Sequence, residues 1–198
     1  MKKVGIMGGT FDPIHIGHLL VAEAAREDYH LDEVWFMPSH IPPHKEQAGS
    51  SGQQRLQMVQ AAIEGHPSFK LIDIEIRRGG ISYTIDTVKE LKQQVAEVDF
   101  YFIIGADMVN YLPHWERIEE LAALVTFIGV KRPGSELKLA ELPEYLQRNV
   151  RLAEMPQVDI SSTAIRERVA SGRSIRYMVP EGVYQIIVRS GAYETQQR

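Results

Sequence analysis

Gly8-Gly9-Thr10-Phe11-Asp12-Pro13-Ile14-His15-Ile16-Gly17-His18 follows a short apolar run, Lys3–Met7, and leads into Ile16–Tyr29, where apolar residues recur at helical spacing. A strand that stops at a glycine turn, with a helix starting directly behind it, is the opening half of a βαβ unit. The two glycines let backbone approach a ligand closely, and the N–H groups at a helix start favour phosphate. His15 and His18 are three apart, so a helix beginning near Ile14 sets them on one face about 5–6 Å apart. There, two imidazoles can donate to oxygens that gain charge during phosphoryl or nucleotidyl transfer, and Gly17 between them leaves room for a nucleotide against the helix. The spacing alone fits equally well a glycine turn with a proline-assisted helix start and two surface histidines. Two commoner nucleotide motifs are absent: no G-x-x-x-x-G-K-[ST] occurs here, and Gly5, Gly8 and Gly9 do not form G-x-G-x-x-G.

Outward from this stretch the alternation continues. Lys3–Met7, Glu33–Met37, Lys70–Ile76, Asp99–Ile104, Val125–Lys131 and Val150–Glu154 read as strands. Ile16–Tyr29, Gln53–Glu64, Thr84–Val95 and Arg117–Ala123 read as helices, with a weaker helical pattern over Leu139–Arg148. Strands separated by helices imply right-handed crossovers. The fold class is therefore α/β: a Rossmann-like, doubly wound, mainly parallel sheet of about six strands, binding its ligand at the carboxyl ends of the strands. From Ser161 onward no further strand is predicted, only helices over Ser162–Ala170 and Glu181–Arg189. The expected organisation is one domain over residues 1–198, an α/β core to 160 and a helical cap from 161 to 198. Pro42-Pro43 and the Gly49–Gly52 stretch mark a flexible loop inside that domain.

Composition narrows the function. The 198 residues carry a formal charge of −4 and no cysteine. Disulfides, thiolate zinc sites, iron–sulfur clusters and cysteine nucleophiles are thereby excluded. The acidic balance, without a basic stripe, argues against nucleic acid as partner. The longest apolar run, Leu121–Val130, falls short of the roughly 18 residues of a membrane span, so the expectation is a soluble, cytoplasmic protein without a membrane partner; a homodimer stays open.

Four further segments lie where ligand-binding residues should be. Ser39-His40-Ile41-Pro42-Pro43-His44-Lys45 follows the second strand, and its prolines stiffen a loop carrying one positive charge. No carboxylate nearby completes a metal set with His40 and His44. Ile81-Ser82-Tyr83-Thr84-Ile85-Asp86-Thr87 precedes a helix that Ser82 or Thr84 can cap. Gly105-Ala106-Asp107-Met108 ends the fourth strand: Gly105 permits close approach and Asp107 can accept from ribose hydroxyls, or simply start a helix. Tyr111 and Trp115 follow, as core or as stacking surfaces. Asp159-Ile160-Ser161-Ser162-Thr163-Ala164-Ile165-Arg166 offers hydroxyls and N–H groups at a helix start as a second phosphate cradle, with Arg166 in reach of the same anion.

The first stretch resembles the GTFDPxHxGH motif of nucleotidyltransferases related by fold to class I aminoacyl-tRNA synthetases, and is most similar to that of the bacterial nicotinate-nucleotide adenylyltransferase family. The other segments resemble that family's S-x-x-P-P-H-K loop, its Ser-Tyr-Thr stretch, its G-A-D pattern with a later L-P-x-W, and its I-S-S-T-x-I-R motif, in family order over residues 4 to 170. The resemblance implies AMP transfer from ATP to nicotinate mononucleotide, with Mg2+ entering through the ATP phosphates and no protein-held metal. It implies His15, His18, Lys45 and Arg166 as catalytic residues around the triphosphate. It places ATP against Gly8, Gly9, Thr10, Gly105, Asp107, Ser161 and Ser162 as well, and the nicotinate nucleotide against Ser82, Tyr83, Thr84, Met108, Tyr111 and Trp115. The Gly- and Ser-containing stretch after Glu46 and the tail beyond Gly191 depart from the pattern. Rival readings are transfer to nicotinamide mononucleotide or phosphopantetheine, or a nucleotide sensor without catalysis; the phosphopantetheine enzymes usually carry Thr where this chain has His15.

Overall fold

The computed structural model describes residues 1–42, 48–95, 97–131 and 137–195. Runs rich in Val, Ile and Phe form β1 (Lys2–Gly9), β2 (Glu33–Pro38), β3 (Phe69–Leu71), β4 (Val98–Gly105), β5 (Val125–Lys131) and β6 (Val150–Glu154). They pair in the order β3-β2-β1-β4-β5-β6, and every pairing is parallel. Parallel neighbours need crossovers, supplied by α1 (Ile16–Asp28), α2 (Gly52–Ile63), α3 (Ile74–Arg78), α4 (Thr84–Gln94), α5 (Ala106–Tyr111), α6 (Ile118–Ala122) and α7 (Glu144–Asn149). The tail adds α8 (Ser162–Ala170) and α9 (Glu181–Ser190).

Strand periodicity sorts side chains to two cores. Phe100, Phe102 and Ile104 of β4 join Ile85, Val88, Leu121 and Leu146 on one face. Ile103 points the other way, toward Val21, Ala25, Met58 and Val59, and the same cluster takes in Ile165, Val183 and Ile187 from the tail. The helices of the tail therefore complete the cover over α1 and α2 instead of packing apart from the sheet. Two close approaches fix the layer spacing: a Cβ on Gly5 would lie 2.8 Å from Ile103 and Leu31, and one on Gly129 2.6 Å from Val109.

The structure departs from the sequence pattern in several places. The strand expected over Lys70–Ile76 ends at Leu71, and Ile74–Arg78 is α3. β3 lies at the sheet edge and pairs only with three residues of β2; past that register no ladder holds the chain extended, and Ile74 turns inward, 3 % exposed. The pattern over Leu139–Arg148 is cut at Pro143 into a 3-10 turn, Leu139–Glu141, and α7, since proline cannot donate within a helix. Arg117 takes a left-handed φ of 48°, so α6 starts one residue later than expected. The short α5 was not among the predicted helices, although Asp107 offered a helix start and does lie in its first turn.

One surface ion cluster ties the sheet edge together. Glu33 accepts from Lys2 at 2.7 Å, Lys70 at 2.5 Å and the Trp35 indole at 2.8 Å. Partial burial opposes its ionisation, but these three donors win and lower its pKa from 4.5 to about 2. A carboxylate with a depressed pKa stabilises the fold above its unfolded value and loses that contribution as pH falls through the folded one. Urea unfolding of Glu33→Gln should therefore show weaker pH dependence than the wild type between about pH 4.5 and pH 2. Parallel acid limbs for the two proteins would refute this.

Candidate active site

In the order β3-β2-β1-β4-β5-β6 the winding reverses between β1 and β4. Open parallel sheets bind ligands outside their carboxyl ends at such a point. β1 ends at Gly9 and β4 at Gly105, so the segments beginning at Thr10 and Ala106 leave from the edges of that crevice.

His15 is the N-cap of α1, with extended φ and ψ of −146° and 171°, and His18 lies in the first turn. Their rings stack, centroids 3.7 Å apart and 26° between planes, closer than helix spacing alone suggested. The His15 amide donates to His18 Nδ1 at 3.2 Å. An accepting Nδ1 leaves the neutral ring's proton on Nε2, so His18 is set up as a donor. Phe11 meets the His18 ring edge-on at 5.1 Å. Gly17 also serves this pair: a Cβ there would lie 3.1 Å from the His15 ring. At Gly8 and Gly9 a Cβ would crowd Phe102 and Phe11, each at 3.1 Å.

The second cradle joins this loop. Ser161 caps α8 by accepting from Ala164 at 3.1 Å. Ser162 donates to the Pro13 carbonyl at 2.9 Å, and Arg166 donates to the Asp12 carbonyl at 2.8 Å and to Thr163 Oγ1 at 3.3 Å. Arg166 and Ser162 thus lie against the Asp12-Pro13 turn.

On the other side, Ser82 is buried and accepts from the His40 amide at 2.9 Å, while its own amide donates to the Ile41 carbonyl. Tyr83, not Ser82 or Thr84, is the N-cap of α4, without a side-chain cap; the Ser82 hydroxyl is occupied with the loop after β2, and Thr84 is already the first helical residue. Behind them Glu75, 3 % exposed, accepts from Thr87 at 2.7 Å. Burial raises its pKa, against the pull of Thr87, Ser82 and Arg78. Asp107 is exposed in the first turn of α5, behind Gly105. Met108 and Tyr111 are 37 % and 38 % exposed, Tyr111 stacking on His114 at 4.7 Å. Trp115 packs edge-on against Phe102 and Phe127. Lys45 lies outside the described residues.

The sequence did not single out Asp12, Arg55, Ser50 or Tyr193, which hold this loop. Arg55, 2 % exposed, donates through Nη1 to the carbonyls of Thr10 and Ser39, both at 2.7 Å. Burial lowers its pKa, while Asp12 and Tyr193 favour the charged form. Asp12 Oδ2 accepts from the Gly49 amide at 2.8 Å; its Oδ1 takes the Ser50 amide at 3.1 Å, the Ser50 hydroxyl at 2.7 Å and the Tyr193 hydroxyl at 2.7 Å. The Gly49–Gly52 stretch, expected as a flexible loop, is anchored: Gly49 and Ser50 are tied to Asp12, and Ser51 caps α2. Among the described residues no group of three or more His, Asp or Glu is placed to hold a metal ion, and no helix is long and apolar enough to cross a membrane.

A family model described as cytidylyltransferase-like matches residues 6–168. A protein of Oceanobacillus iheyensis named probable nicotinate-nucleotide adenylyltransferase is 48% identical over 187 residues, 94% of each chain. The nicotinate-nucleotide adenylyltransferase of Bacillus subtilis is 46% identical over 196 residues, 98% of this chain and all of that one. Plasmodium falciparum nicotinic acid mononucleotide adenylyltransferase complexed with NaAD shares the fold, with a TM-score of 0.81, 21% identity and 98% of both chains covered.

Proposed function

The chain belongs to the cytidylyltransferase-like family and, within it, to the nicotinate-nucleotide adenylyltransferases, and from that premise we propose how its residues carry the reaction. The phosphate of nicotinate mononucleotide attacks the α-phosphorus of ATP. A phosphorus–oxygen bond forms to AMP, the bond to pyrophosphate breaks, and nicotinate adenine dinucleotide leaves with pyrophosphate. The attacking group is a phosphate monoester, whose second pKa near 6 makes it mostly dianionic at pH 7. No base must strip a proton from it and no dedicated acid is needed for pyrophosphate. Positioning and charge stabilisation suffice.

The observation that carries this assignment is the stacked His15–His18 pair at the start of α1, outside the reversal between β1 and β4. His18 Nε2 and the amides of Gly8 and Thr10 donate to the triphosphate, and Gly9, its amide held in the β1–β2 ladder, lines the approach. Lys45 supplies a further positive charge, as the motif it resembles implies, and Arg166, Ser161 and Ser162 close the other side. Gly105 and Asp107 take the adenosine; Ser82, Tyr83, Thr84, Met108, Tyr111 and Trp115 take the nicotinate nucleotide. These donors are imidazoles, amides and cations, which are phosphate ligands rather than a cation cage. They fit Mg2+ carried by the nucleotide, since Mg2+ keeps several waters and binds through substrate phosphates; bound there, it neutralises charge on the leaving pyrophosphate. The tail shares its core with α1 and α2, which supports reading residues 1–198 as one domain.

Pyrophosphate release from MgATP, with nicotinate mononucleotide, nicotinamide mononucleotide and phosphopantetheine offered separately, tests the assignment. Preference for the first is expected. Activity only with phosphopantetheine would overturn the pyridine side of the site, and ATP binding without turnover of any acceptor would favour a sensor.

A further inference from the structure

We propose that Tyr193 is a positioning residue for the adenylyl transfer assigned above: its hydroxyl closes the buried Asp12 carboxylate and so holds the phosphate-binding loop in its working shape. The loop needs such holding. Phe11 stands at a left-handed φ of 50° although it is aromatic and 2 % exposed, and a conformation of that kind persists only where its surroundings impose it. Asp12, the next residue, is 5 % exposed. A buried carboxylate must be hydrogen-bonded, and the donors come from two remote segments. Gly49 and Ser50 precede α2, and Tyr193 lies past the end of α9.

The tyrosine completes a triangle. Its oxygen is 2.7 Å from Asp12 Oδ1 and 2.5 Å from Ser50 Oγ, and Ser50 Oγ is itself 2.7 Å from Oδ1. Burial, with the Asp12 charge beside it, raises the pKa of the Tyr193 phenol far above its ordinary value, so it remains a donor over the whole working pH range. Tyr193 also has a left-handed backbone, with φ 69°, two residues past the left-handed Gly191. The groups held through Asp12 are the ones that meet phosphate: Thr10 ahead of it, and His15 three residues behind.

The mode of action predicts a separable kinetic signature. Tyr193→Phe keeps the ring and its packing and removes only the hydroxyl. A loop displaced by about 1 Å costs up to about 10²-fold in rate, so kcat is expected to fall between about 10- and 100-fold while KM for nicotinate mononucleotide, bound on the far side of the crevice, stays within about twofold. Ser50→Ala, which opens the same triangle from the other corner, should lower kcat in the same direction. The thermal midpoint of each variant is recorded alongside. Wild-type kcat per folded molecule in Tyr193→Phe, with or without a lower midpoint, would overturn the proposal. If Tyr193→Phe does not fold, Ser50→Ala decides: a folded variant with depressed kcat supports the positioning role, and normal kcat or a second failure to fold refutes it. The wild-type rate with nicotinate mononucleotide reports on the reaction, and the variant-to-wild-type ratio reports on Tyr193, so the two failures are told apart.

Discussion

His18→Ala should lower kcat by about 10²–10³-fold, the usual consequence of removing one preorganised donor to a developing anion. The ring is preset before substrate arrives: the His15 amide at 3.2 Å occupies Nδ1, and the His15 ring at 3.7 Å and the Phe11 ring at 5.1 Å fix its plane. A donor held in this way costs no reorganisation during the reaction. His18 is only half-buried and lies outside both hydrophobic clusters, so the fold should survive its truncation. Steady-state pyrophosphate release, read beside a circular dichroism spectrum, gives the answer. Near-normal turnover by a folded His18→Ala would remove the residue from the mechanism.

Arg55→Met should destabilise the protein by about 3–5 kcal/mol, the range for breaking a buried charged arrangement from one side. Methionine can fill much of the volume but donates nothing. The carbonyls of Thr10 and Ser39 would lose their shared donor, and Asp12 would lose the cation that faces it. A buried acceptor left without a partner carries its full desolvation penalty. Urea unfolding at neutral pH measures the loss; a change below about 1 kcal/mol would show that water or rearranged backbone replaces the guanidinium. Because Arg55 joins the end of β1 to the end of β2, kcat should fall as well in whatever fraction remains folded.

The layer order and the strands were legible because their signal is local. β5 and β6 have the bounds read from the sequence, Val125–Lys131 and Val150–Glu154, since each is a short apolar run with a turn or helix beside it. β3 was overextended because Lys70–Ile76 is apolar enough for a strand, whereas its ladder with β2 stops at Leu71 and Ile74 turns inward as the start of α3. In the site, His15 and His18, and Ser162 and Arg166, could be read from two motifs that are each local in sequence, and the structure brings the second against the turn just ahead of the first. Arg55 and Tyr193 could not. In sequence Arg55 is one more polar position of an amphipathic helix and Tyr193 an aromatic after a helix-ending glycine; their roles arise only where segments 45 and 181 residues apart meet.

That separation of 181 residues also bears on synthesis. A chain elongating at about 5–20 residues per second completes its phosphate-binding loop about 10–40 s before residue 193 is made. Throughout that interval the nascent protein can collapse around α1 and the central strands, yet the Asp12 carboxylate lacks its last donor. On the proposed role of Tyr193, the loop takes its working shape only after residue 193 has been made, and nucleotides met before then encounter a loop that is not yet held.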